Sequence, residues 1–94
     1  SNIYAKNEQR AGGDSLPKIE GIIDNTLFVQ NKQSSNFTIN EIKIGGKNCN
    51  QEINLTPGIN EINITSCLIG VEKGKTEIAL ITSKGIISYF DVIN

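Results

Sequence analysis

Ninety-four residues with 9 basic and 10 acidic side chains, no histidine and two cysteines read as one small domain of net charge −1. Interspersed charges of that balance favour neither nucleic acid nor an anionic membrane surface. Without histidine the chain lacks the commonest general base and the commonest metal ligand, and no apolar run approaches a spanning helix.

Residues 1–15 (SNIYAKNEQRAGGDS) carry no hydrophobic period, and Gly12-Gly13-Asp14 reads as a loop. This stretch is expected to be a flexible tail, or an arm that orders against another subunit, with the folded domain spanning 16–94. No signal peptide stands at its start, so the chain reads as a mature secreted protein or as a domain cut from a membrane anchor.

Residues 16–24 (LPKIEGIID) predict a short strand with Gly21 as a weak point or bulge, and Asp24-Asn25 a turn. Residues 26–31 (TLFVQN) follow as a strand. Residues 36–45 (NFTINEIKIG) are the longest candidate. Phe37 and Ile39 share one parity and Ile42 and Ile44 the other, so an extra residue is expected at Asn40-Glu41.

Residues 49–67 (CNQEINLTPGINEINITSC) read as a β-hairpin reversing at Pro57-Gly58 and closed by a Cys49–Cys67 disulfide. Pairing Leu55 with Ile62 and Ile53 with Ile64 puts all four on one face and sets Asn54 opposite Asn63 on the wet one. In that register Cys67 misses Cys49 by one position, so a bulge near Thr65-Ser66 is required. A bridge over this loop contributes about 3 kcal/mol in the chain-entropy model.

Leu68 to Val71 cross back, and residues 76–83 (TEIALITS) and 86–93 (IISYFDVI) form the closing strands. Helical spacing is absent. About seven short strands at roughly 8–12-residue spacing predict an all-β, antiparallel immunoglobulin-like β-sandwich.

Three N-x-Thr sequons begin at Asn36, Asn54 and Asn63. In each the asparagine is predicted to face out while the middle residue is apolar and faces in, which suits glycan attachment. Other motifs fail. Gly74-Lys75-Thr76 lacks the earlier glycine of a phosphate loop (Ile69 stands there) and precedes a strand rather than a helix. Asp14, Asp24 and Asp91 are too scattered for a calcium loop. Alternation turns Lys43 to solvent, away from any isopeptide crosslink. Neither an enzyme, a cofactor nor a metal site is expected.

The stretches LFVQNKQSSNFTINEIKI (27–44), LTPGIN (55–60) and TEIALITSKGIISYF (76–90) resemble the soluble β-domains of archaeal surface appendages. Those domains occur in secreted pilin-like filament subunits and in extracytoplasmic stator proteins of the archaellum. The isoleucine and asparagine bias with sequons is similar to that of glycosylated surface proteins of thermoacidophilic archaea. The hydrophobic N-terminal helix of pilin-like subunits is missing here.

The resemblance implies a glycosylated, extracellular structural subunit of a cell-surface filament, assembled by strand exchange between copies. Ile3, Tyr4 and Ala5 are the candidate subunit-linking residues, and residues 16–24 are a second candidate donor. The alternative is the soluble domain of a membrane-anchored stator protein, gripping the surface layer or a sibling subunit in the pseudo-periplasmic space. Expected partners are copies of the chain or such a sibling, with N-linked glycans. Neither nucleic acid nor direct membrane insertion is expected.

Overall fold

The computed structural model describes residues 15–49 and 51–94, and over these the chain is all-β. The strands are β1 (Lys18–Ile23), β2 (Thr26–Asn31), β3 (Phe37–Ile39), β4 (Glu41–Ile44), β5 (Lys47–Asn48), β6 (Ile53–Leu55), β7 (Gly58–Asn63), β8 (Gly74–Thr82) and β9 (Gly85–Ile93). A 3-10 turn occupies Thr65–Leu68. Every pairing is antiparallel, in three sheets ordered β1–β2–β7, β3–β6 and β5–β4–β8–β9.

The nine described strands in three sheets differ from the expected count of about seven. The segment read as one long strand divides at Asn40, and Lys47–Asn48 adds a short strand of its own. The period-2 pattern does change phase there. Phe37 and Ile39 are buried on β3, then Ile42 and Ile44 on β4. Asn40 N donates to the Ile81 carbonyl at 2.8 Å, holding the bend on β8. One run of chain thereby leaves a two-stranded sheet and enters a four-stranded one without turning its apolar side chains to water.

Gly21 serves the same purpose in β1. The β1–β2 register slips between Ile19 and Gly21, so Ile19 pairs with Val29 and Ile22 with Leu27. Ile19 and Ile22 are an odd number of positions apart, and the slip lets both lie toward the interior. Gly21 takes φ 145°, which a side chain disfavours. The Gly45-Gly46 turn between β4 and β5 has both residues at positive φ, the requirement of a type I′ hairpin.

Alternation decides which face is dry. Ile78 and Leu80 on β8, Ile87 and Tyr89 on β9, and Leu27 and Val29 on β2 are buried. With Ile19 of β1, Ile42 and Ile44 of β4 and Ile62 of β7 they join one continuous apolar cluster. Full burial of such a side chain stabilises by roughly 1.5–3 kcal/mol against exposure. Among the described residues no helix is long and apolar enough to cross a membrane.

The expected Cys49–Cys67 hairpin is not formed. Leu55 pairs with Phe37 and Ile53 with Ile39, whereas Ile62 pairs with Leu27. The arms belong to different sheets, and Asn54 lies opposite Thr38 instead of Asn63. The cause lies at the turn. The Asn60 side chain accepts from Thr56 N at 3.0 Å and donates to the Thr56 carbonyl at 2.8 Å, so both main-chain groups of Thr56 are engaged. Pro57 has no N–H to offer. The chain arches from sheet to sheet. Inward parity holds all the same, for Leu55, Ile62 and Ile64 are buried and Ile53 is half-buried.

Candidate interaction edge and sequon face

Cys49 and Cys67 are joined by a disulfide across 18 positions, with Cα atoms 5.2 Å apart. Cys49 sits just after β5, where its N–H donates to the Ile42 carbonyl at 2.9 Å. Cys67 lies in the 3-10 turn after β7, and its N–H donates to the Ile64 carbonyl at 2.9 Å. The bulge expected near Thr65-Ser66 is absent with the hairpin register that required it; a 3-10 turn stands there instead. The bond joins the four-stranded sheet to the turn leaving the three-stranded one.

Asn36, Asn54 and Asn63 are all exposed. Asn54 and Thr38 face each other across the β3–β6 ladder, and continuing that register one step sets Asn36 beside Thr56. Two sequons thus share one small outward face, and the third ends β7. The Asn63 Oδ1 accepts from Thr65 N at 2.9 Å, closing an Asx turn that starts the 3-10 segment.

Sheet edges are the other feature of consequence, because an open edge offers rows of unpaired N–H and C=O groups. The outer edge of β1 faces β9 and is sealed by side chains. Ile22 N donates to Asp91 Oδ2 at 3.3 Å, and the Tyr89 hydroxyl donates to the Glu20 carbonyl at 3.5 Å. Strands β3, β5 and β6 are only two or three residues long.

Strand β7 is different. Ile64 N donates to the Asn25 carbonyl at 2.9 Å, so Thr26 and Asn63 form a pair without direct hydrogen bonds. Counting along the ladder, Gly58, Asn60 and Ile62 turn their main-chain groups to β2, and Ile59, Glu61 and Asn63 turn theirs outward. Among the described residues those outward groups have no main-chain partner. The side chain of Ile59 is 57% exposed on that strand.

Ile3, Tyr4 and Ala5 lie outside the described residues. The second donor candidate, residues 16–24, is built into its own sheet as β1 and pairs with β2 along its length, with Leu16 and Ile19 buried. Lys43 faces the outer side of β4 and pairs with Ala79 and Asn48. Gly74-Lys75-Thr76 opens β8, a strand. Among the described residues no three His, Cys, Asp or Glu side chains converge as metal ligands would. A cleft of about 360 Å³ beside Lys47, Lys73 and Lys75 is also lined by Glu72 and Glu77, so its charges largely offset.

The open β7 edge had no sequence signal, because parity says which way side chains point but not which strand lies alongside. Nor does local sequence mark the buried Asn31 among so many exposed asparagines. No family model matches the chain, and neither a curated protein nor a solved structure matches it significantly.

Proposed function

We propose that the chain is an extracellular structural subunit of an archaeal cell-surface filament, whose copies join by strand addition at β7. The observation that carries this is the row of outward main-chain groups at Ile59, Glu61 and Asn63. An extended segment laid there gains main-chain hydrogen bonds, the binding mode known as β-augmentation. The three sheets are read as an immunoglobulin-like sandwich, with β1–β2–β7 and β5–β4–β8–β9 as its layers and β3–β6 bridging them at one end.

The donor in this reading is the N-terminal segment of a second copy, residues 1–12, with Ile3, Tyr4 and Ala5 as its anchors. The point where the chain enters the fold supports it. The Ser15 carbonyl accepts from Gln33 Nε2 at 3.0 Å, just beyond the β2 end where Asn31 pairs with Gly58. Ser15, the first described residue, therefore stands at the end of the fold where β7 begins. The disulfide supports an oxidising, extracytoplasmic setting, and three exposed sequons support glycosylation.

The test is sizing chromatography at micromolar concentration on the chain, on a 1–12 deletion, and on Glu61→Pro. Proline at 61 removes an outward donor and leaves the β2 ladder its bonds. Polymers from the parent and monomers from both variants are expected. A parent that stays monomeric or dimeric overturns the filament reading and favours the stator-domain alternative.

A further inference from the structure

The β3–β6 register makes one acceptor face out of two sequons. Asn54 lies directly across from Thr38, and Asn36 and Thr56 flank the Phe37–Leu55 pair that ends the ladder. All four side chains are exposed, while Phe37, Ile39 and Leu55 between them point into the core. Asn36 and Asn54 are then diagonal neighbours on the same face, about 7–8 Å apart. A branched oligosaccharide is broader than that spacing, so two of them collide.

The hydroxyls break the tie. Thr56 Oγ1 donates to Asn60 Oδ1 at 3.2 Å, and the same amide group also holds the Thr56 N–H and carbonyl. The hydroxyl that the Asn54 sequon must present is therefore committed elsewhere. Thr38 has no such contact among the described residues.

We infer that this face carries a single glycan, on Asn36, and that Asn54 stays bare. The inference rests on the extracellular, glycosylated reading above. The step is transfer from a lipid-linked oligosaccharide diphosphate. The anomeric carbon–oxygen bond to phosphate breaks, a bond from that carbon to Asn36 Nδ2 forms, the lipid diphosphate leaves, and the amide gives up one proton. Asn63 belongs to another sheet and is occupied or not independently.

The experiment expresses the full chain with a secretion leader in a host that N-glycosylates, then maps occupancy by intact-mass and glycopeptide mass spectrometry. Asn36→Gln is expected to lose one glycan mass, and Asn54→Gln to lose none. Asn60→Ala, which frees the Thr56 hydroxyl, is expected to bring Asn54 into use when combined with Asn36→Gln. Folded chains bearing glycans on both Asn36 and Asn54 overturn the inference, as does Asn54 occupied with Asn36 bare; either leaves the glycosylated reading intact. A chain bare at all three sequons brings down both.

Discussion

Asn31 reaches from the end of β2 to β6, its Nδ2 donating to the Leu55 carbonyl at 3.3 Å. The same nitrogen donates to the Ser35 carbonyl at 2.9 Å, and Oδ1 accepts from Gln33 N at 3.0 Å. One side chain, 2% exposed, ties the three-stranded sheet and the 32–35 loop to the two-stranded sheet. Asn31→Ala should cost about 2–3 kcal/mol in urea unfolding, because the carbonyls of Ser35 and Leu55 lose their donor. Asn31→Asp should cost more than Asn31→Ala. A carboxylate is the same size but sets negative oxygen against two carbonyls.

The disulfide constrains the unfolded chain. Removing it in a Cys49→Ala, Cys67→Ala double variant should lower unfolding free energy by about 3 kcal/mol. Parallel melts of the parent with and without reductant should show a matching fall. Equal midpoints in all three samples would mean that the bond adds nothing.

The β1–β2 hairpin should respond in opposite directions to two glycine exchanges. Gly21→Ala places a methyl on a residue at φ 145°, 3.5 Å from Asp91 Oδ2, and should destabilise by about 1–2 kcal/mol. Asp24 holds φ 55°, so Asp24→Gly should stabilise by about 1 kcal/mol. Denaturant midpoints of the two variants should fall on either side of the parent.

Asn60 should matter more than its half-exposed position suggests. Its side chain accepts from Thr56 N and Oγ1 and donates to the carbonyls of Thr56 and Gly58. Asn60→Ala should cost about 1–2 kcal/mol and speed amide exchange at Thr56.

Much of the fold can be read from alternation, because burial follows parity strand by strand. Ile78, Leu80, Ile87 and Tyr89 face the core as the period-2 pattern requires. The phase change after Ile39 likewise marks Asn40, where one strand becomes two. Pairing is harder, since it is a property of distant segments. The hydrophobic period of residues 53–64 does not say that Leu55 will lie against Phe37 and Ile62 against Leu27. The deciding contact is the Asn60 side chain on Thr56, a polar bond that hydrophobic period does not register. The sequon face suffers likewise, for two motifs 18 positions apart become neighbours only through that pairing.

The sulfur bridge also has a mechanical meaning. A pull on the two ends of this chain passes through the bond between Cys49 and Cys67 and bypasses the strands it encloses. Those 18 steps of main chain never lengthen, which withholds about 60 Å of contour from any stretched molecule. A single-molecule force trace should release that missing length only after a reductant is added. A fibre made of such links would give less under tension than its residue count implies.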